Sequence, residues 1–474
     1  MLRIKLPPPA TAATIRLLEG ALAREQPPLP VIPILTISAA VVVPPPIPPL
    51  GHAEATTLQT IAEWPLRVLP DASLEGGLPS EVQSYVRSHV HPEFEHKATE
   101  WLQGTRTKLR QALRGYGLDA ETVGERLTPN AALVKFKGTD KMTVAEVEKR
   151  RGVLLTSHGL DVIGVRPEKG EVVVMVTRES RAVLDLCESW RRRAFPATAP
   201  EHNTSFVIGE RENDGRLLYL NLSTPFEGQP MHGPHTLIAG ETGGGKGVLT
   251  RNLILDICAT NSPTSARIRM IDPKSGGDYP WLGLLPHVDG GLVSTQAEAK
   301  ETLKALVATM EDRYAQITPI APNIDRYNAK MPPEQRLPRI YLFHDELGDW
   351  MADKDNADYR ATVESYVVRL ASKARAAGIH LFLITQRPDK DALPGQIKAN
   401  MNNKICLRVS SQTNSRIVLD ESGAETLLGN GHFAAKLANE KPSNQSSLIF
   451  GQTPFMDDDD AHELAHIIAA HWNE

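Results

Sequence analysis

The run Gly240-Glu241-Thr242-Gly243-Gly244-Gly245-Lys246 follows the apolar stretch Thr236–Ala239 directly and opens a helical pattern. Glycines at such a turn let consecutive backbone N–H groups curl around a phosphate. A lysine opening the next helix then reaches the β- and γ-oxygens. The arrangement predicts nucleotide binding, with residues 240–247 as the cradle and ATP as the ligand. One position departs from the usual chemistry. A Ser or Thr hydroxyl normally follows the lysine and ligates Mg2+, whereas here the residue is Gly247. The nearest downstream hydroxyl, Thr250, stands a helical turn away. Either Mg2+ is held more through water and Asp345, or hydrolysis is slow.

A second candidate is Arg339-Ile-Tyr-Leu-Phe-His-Asp345-Glu346, an apolar strand pattern ending in two acids. At a strand end beside a phosphate loop, Asp345 is placed to hold the water shell of Mg2+. Glu346 is placed to polarise the attacking water. Such a pair can also be a mere strand cap, but the phosphate loop in the same chain favours the catalytic reading. His344, just before it, reads as a packed strand residue. Gln386 ends the stretch Ile379–Gln386 and is placed to sense the γ-phosphate or the water.

These residues need a scaffold, and the pattern from Thr204 onward supplies one. Short apolar runs at 236–240, 267–272, 339–346 and 379–386 alternate with amphipathic segments at 246–258, 296–315 and 360–377. That alternation predicts an α/β fold, a parallel sheet with helices on both faces and ligands at the carboxyl ends of its strands. Upstream, residues 126–197 read as a small α+β domain with strand candidates at 132–136 and 171–176. Thr143 and Glu146 there form a candidate capping box. Residues 81–125 form a helical segment, whose basic side reads as a solvated face. Residues 1–80 read as a proline-rich arm, since 12 of the 36 prolines fall in the first fifty positions. Proline fixes φ and removes a donor, which favours an extended tether. A docking arm for a membrane or DNA-processing partner is the alternative. Residues 456–474 read as an acidic tail with a short helix.

Composition narrows the classes. A net charge of −5 with 41% hydrophobic and 23% charged residues is a globular profile. It excludes a chain that coats nucleic acid by bulk charge, so any DNA contact must be local. Three dispersed cysteines suggest a reducing, cytoplasmic setting without a thiolate metal site. The apolar stretch 34–43 is too short to span a bilayer.

Taken in order, these motifs resemble the FtsK/SpoIIIE family of ring-shaped DNA translocases. The likeness runs through PHTLIAGETGGGKG (234–247), IDPKSGG (271–277), PHV (286–288), MEDRY (310–314), NIDRYN (323–328) and HDELGDWM (344–351). It is densest in SKARAAGIHLFLITQRP (372–388). It continues through IKAN (397–400), VSSQTNSRIVLD (409–420) and GAETLLGNG (423–431). The resemblance implies a RecA-like P-loop motor over 198–455, preceded by the family's smaller alpha-like domain at 126–197. It implies a homohexamer threading double-stranded DNA through its pore. Arg375 would reach the neighbouring subunit's nucleotide as an arginine finger, and Arg387 and Arg416 would hold DNA phosphates. Gln412 replaces a basic residue frequent before that last arginine, which implies a weaker grip.

The N-terminus lacks the family's membrane-spanning helices, and the chain beyond Phe455 is too short for its DNA-reading winged helix. The resulting expectation is an ATP-dependent DNA translocase, cytoplasmic or recruited to the membrane, moving plasmid or mobile-element DNA in conjugative transfer or segregating DNA. Two other readings stand beside it: a protein-export ATPase of the same superfamily, and a weakly or non-hydrolysing scaffold ring on account of Gly247.

Overall fold

Two central strands of the C-terminal half are apolar over most of their length, as expected when both sheet faces are covered. Arg339–His344 and Ile379–Thr385 are buried at every position. The computed structural model describes residues 74, 76–89, 95–168, 170–178, 181–199, 201–351, 357–386, 388–389, 392–440 and 447–473. The chain divides into two units, Met1–Gln59 and Thr60–Glu474. The first, with most of the expected arm, lies outside the described residues. Every described residue belongs to the second.

Two sheets organise it. The smaller contains β1 (Thr122–Leu127), β2 (Ala131–Lys137), β3 (Val162–Glu168) and β4 (Glu171–Thr177), antiparallel in the order β1-β2-β4-β3. The larger is built from β5 (Ser205–Arg211), β6 (Leu217–Asn221), β7 (Thr236–Ala239), β8 (Ala266–Ile271), β9 (Val288–Val293), β10 (Arg339–His344), β11 (Ile379–Thr385), β12 (Asn403–Leu407), β13 (His432–Lys436) and β14 (Ile449–Gln452). Its order is β6-β5-β14-β13-β12-β7-β11-β10-β8-β9. The stretch from β12 to β9 is parallel, as the alternating pattern predicts. The stretch from β6 to β13 is an antiparallel extension that alternation alone does not announce. Its hairpin signal is Asp214-Gly215, where Gly215 takes φ +60° between β5 and β6.

The helices of nine residues or more are α1 (Ser80–Ser88), α2 (Glu95–Gly115), α3 (Lys246–Ala259), α4 (Gln296–Ile317), α5 (Ala357–Lys373) and α6 (Asp458–Asn473). Period-two alternation sorts the central strands between two cores. Tyr341, Phe343 and Phe382 meet Leu249, Leu253 and Ile257 of α3 on one face. Leu342, Leu381 and Leu383 meet Leu303 of α4 and Val363 and Val367 of α5 on the other. Thr295 and Glu298 close a reciprocal capping box that starts α4. Helix α2 lays Leu109 and Leu113 on Val134, Phe136 and Val174 of the small sheet.

The acidic C-terminal segment is integrated into the larger unit. Asp458, Asp459 and Asp460 form the first turn of α6, where negative charge meets the positive end of the helix dipole. Its Leu464, Ala465 and Ile468 join the core that holds α3 and α1. Trp472 Nε1 donates to the Cys258 carbonyl at 2.9 Å.

A buried ion pair ties the lead-in to the nucleotide-loop helix. Arg193 and Asp256 are 0% and 1% exposed at their side chains and bonded to each other. Asp256 also accepts the Val207 N–H at 2.9 Å. Removing one partner leaves a buried charge alone, a loss of about 3–5 kcal/mol. Arg193→Met should therefore lower the urea midpoint strongly. Adding Asp256→Asn should recover part of it, because the amide oxygen still accepts from Val207; equal midpoints for the single and double variants would contradict the pair's role.

Candidate functional site

The segment after β7 forms a tight loop and then α3, with Gly243 at φ +76° and Gly245 at φ +107°. At Gly245 a Cβ would stand 2.7 Å from the Gly431 nitrogen, so only glycine fits. The loop is held from behind. Glu241 N–H donates to the Arg408 carbonyl at 2.9 Å, and Gly431 N–H to the Gly244 carbonyl at 2.9 Å. The loop Gly240–Gly245 is thus braced against the end of β12 and the turn before β13.

Lys246 is buried and donates to the Glu241 carbonyl at 2.9 Å. Burial presses its ammonium down to about 8, although Glu346 and Asp345 pull the other way. Asp345 and Glu346 lie just past β10, and both are buried. The Asp345 carboxyl is pushed up by burial and by Asp272 nearby. Its Oδ1 accepts the Glu346 N–H at 2.9 Å. Glu346 takes φ +48°, the left-handed region, where a non-glycine residue is strained by about 1–3 kcal/mol. That twist turns its carboxylate to the end of β11, where Oε1 accepts the Gln386 N–H at 2.9 Å. Oε2 is buried without a partner, and burial raises the pKa of this carboxyl. The Gln386 side chain accepts from the Thr242 hydroxyl at 2.6 Å.

The structure therefore brings Thr242, Lys246, Asp345, Glu346 and Gln386 together at the carboxyl ends of β7, β10 and β11. Gly247 has nothing within 4 Å of a would-be Cβ. Arg375 is elsewhere. It is exposed just before β11, near Met231, with its Nη2 3.0 Å from the Met231 sulfur. Since Phe382 to Thr385 pair with Thr236 to Ala239, Arg375 stands at the opposite end of the sheet from the loop of its own chain. The length of β11 alone, about 20 Å at roughly 3.3 Å per residue, separates them. Arg416 is exposed on the helix Gln412–Leu419, which follows β12. Arg387 lies outside the described residues. His344 is fully buried, edge-on to Trp350, and burial lowers it to about 4.

Sequence reasoning missed Tyr279, whose hydroxyl donates to Asp345 Oδ2 at 3.1 Å. It also missed the turn at Gly429–Gly431 behind the phosphate loop. Tyr279 follows β8 on the ligand-bearing edge of a parallel sheet, and that position was the available signal. Arg181, from the chain leaving the small sheet, donates to the Leu428 and Gly429 carbonyls at 3.1 and 3.0 Å.

A glycine-rich loop between a central parallel strand and its helix, with two acids just past β10, one strand beyond β11, defines the P-loop ATPase fold. Residues 215–390 match the FtsK/SpoIIIE family. It is 30% identical over 391 residues to "DNA translocase FtsK" of Streptococcus agalactiae serotype V, covering 80% of this chain and 45% of that protein. The protein of the same name from Clostridium acetobutylicum is 31% identical over 368 residues, covering 76% and 45%. The chain thus spans less than half the length of these relatives. In fold it matches the monomer form of the pCW3 conjugation coupling protein TcpA with ATPγS, at a TM-score of 0.51 and 22% identity, over 76% of this chain and 98% of that one. No helix among the described residues is long and apolar enough to cross a membrane.

The depressed ammonium of Lys246 has a measurable consequence. A bound triphosphate restores its proton, so ATP binding should take up little proton at pH 6.5 and approach about one proton at pH 9. Calorimetry in buffers of different ionisation enthalpy reads this directly. Lys246→Arg, always charged, should abolish the uptake.

Proposed function

We propose that this chain is an ATP-driven motor that moves double-stranded DNA as a ring of six copies. The observation that carries the reading is the convergence of Lys246, Thr242, Gln386, Asp345 and Glu346 around one phosphate loop. Lys246 binds the β- and γ-phosphate oxygens, the loop amides of residues 240–247 cradle them, and Gln386 senses the γ-phosphate through its bond to Thr242. Glu346 takes the proton of the attacking water, and its unpartnered buried oxygen suits that task. Asp345, through water, is the residue to hold Mg2+. Two carboxyls buried side by side, Asp345 and Glu346, are an oxygen donor set that a hydrated cation suits. When bound, the ion neutralises charge on the phosphates.

The place of Arg375 supports a shared site. A guanidinium an entire strand away from its own loop does not reach that loop's nucleotide, so a role in ATP chemistry falls to it only through another copy, as in a ring. Arg387 and Arg416 take the role of holding DNA phosphates. Such contacts carry no base information, so movement is indifferent to sequence. The relatives' printed name, DNA translocase, supports DNA as the cargo. The finer reading is plasmid or other mobile-element DNA, and the N-terminal segment is the candidate for docking a membrane or DNA-processing partner.

ATP turnover with and without duplex DNA tests the whole reading, and strong stimulation by DNA is expected. DNA-independent turnover would favour an export motor, and no turnover a scaffold ring. Within it, Glu346→Gln should bind ATP while its turnover drops by roughly 10²–10⁴-fold, the usual worth of a general base. Wild-type turnover by that variant would refute the base assignment.

Arg375→Ala and Lys246→Ala rings should each be inactive. A covalently linked dimer carrying one substitution in each half keeps every second interface complete and should regain ATPase activity. A silent linked dimer, assembled to the right mass, would remove the finger from the scheme.

A further inference from the structure

The hydroxyl absent at Gly247 is not excluded by crowding, since a Cβ there would meet nothing within 4 Å. A different hydroxyl reaches the acid that would share Mg2+. Tyr279 donates to Asp345 Oδ2 at 3.1 Å, and the two residues are 2% and 4% exposed. The turn carrying Tyr279 is fixed at several points. Asp272 Oδ2 accepts the Gly276 N–H at 2.7 Å, and Tyr279 N–H donates to the Gly276 carbonyl at 2.9 Å. Its ring meets Trp281 edge-on, with centroids 6.4 Å apart. Thr250, fully buried one helical turn beyond Lys246, lies beside the phenol.

Asp345 is thereby gripped at both oxygens by donors from two elements, the Glu346 N–H on Oδ1 and the phenol on Oδ2. A carboxylate held this way has its rotation fixed before any ligand arrives. Towards a carboxylate oxygen the phenol is the donor and the carboxylate the acceptor. Each oxygen keeps a second lone pair for water.

Resting on the ATPase reading above, we propose that Tyr279, seated against Thr250, is the positioning residue that aims Asp345 at the hydrated Mg2+ of a bound nucleotide. It takes over the part that a hydroxyl after the P-loop lysine otherwise shares. Partners that orient a metal-binding group typically change metal affinity by 10–100-fold when removed.

The test uses the full chain and a fluorescent ATP analogue whose binding is followed as MgCl2 is titrated. Tyr279→Phe keeps the ring and removes only the hydroxyl. The Mg2+ concentration for half-maximal binding should rise by about tenfold or more, while binding of the analogue in EDTA stays as in the wild type. Gly247→Ser placed in the Tyr279→Phe background should bring the half-point back, a rescue that a purely structural role for Tyr279 would not give. Thr250→Val, with the phenol still present, should shift it in the same direction by less. An unchanged half-point in Tyr279→Phe, an equal loss of binding in EDTA, or failure of the Gly247→Ser rescue overturns the proposal. A wild-type chain that binds the analogue with no dependence on Mg2+ overturns the ATPase reading instead.

Discussion

Three ionisable groups held nearly out of water at one edge of a parallel sheet set the terms for the rest of this structure. Lys246, Asp345 and Glu346 all have pKa values displaced towards the neutral form, and burial is the largest cause in each. Desolvation is unfavourable for the folded chain unless something else satisfies the charges. Without a ligand the protein supplies partial substitutes: a loop carbonyl for Lys246, a phenol and an amide for Asp345, and one amide for Glu346. A phosphate and a hydrated cation would complete them. The loop, the two acids and the turn after β8 are therefore one electrostatic unit.

That unit must be held rigidly, and the fold does so from behind. The turn at Gly429–Gly431 has three successive left-handed residues, Gly429, Asn430 and Gly431. It packs so closely on Gly245 that a side chain there has no room, and a Cβ on Gly431 would stand 2.8 Å from Gln452 Nε2. Gln452 Nε2 donates to the Asn430 carbonyl at 2.7 Å, and Arg181 clamps two carbonyls of the same turn. Asn130, in the small sheet's first hairpin, bonds both Arg181 and Gln452. Buried Glu212 joins His432 of the large sheet to Arg166 of the small one. Burial would raise its carboxyl, but His432, Arg166 and Asn130 outweigh it and hold the group at about 2. A group depressed in this way contributes stability fully above its ordinary range near 4.5, and that contribution is lost as pH falls towards 2. The two sheets are thus linked by hydrogen bonds that end one residue from the phosphate loop.

How much of this was legible in the sequence depends on range. The loop 240–247, the acids after β10 and Gln386 after β11 are local patterns: a strand period, a breaker and a polar residue at the carboxyl end. So were the central strands, because a fully buried strand leaves an unbroken apolar run. Tyr279 was not legible as a site residue, since its partner Asp345 is 66 positions away and only the β8–β10 pairing joins them. The brace at Gly431 had the same obstacle. The antiparallel extension was hidden because β13 and β14 are short strands whose pairing is not encoded locally. The four aspartates at 457–460 read as a tail because charge dominates that stretch, while the apolar positions of α6 begin only after it.

β11 joins what the proposed function needs at its two ends. Its seven residues are fully buried, so it is among the stiffest elements of the sheet. Arg375 precedes it, and Gln386 follows it, bonded to Glu346 through the backbone and to Thr242 through the side chain. If Arg375 serves the next copy's nucleotide, one rigid strand connects that contact to the base and the phosphate loop of its own copy. A shift at Arg375 could then be absorbed only by moving Gln386 or by bending a strand packed on both faces. Moving Gln386 disturbs the strained Glu346, which has only one bonded oxygen to hold it. The same packing that makes the strand easy to read in the sequence is what would make neighbouring sites in a ring mechanically dependent on one another.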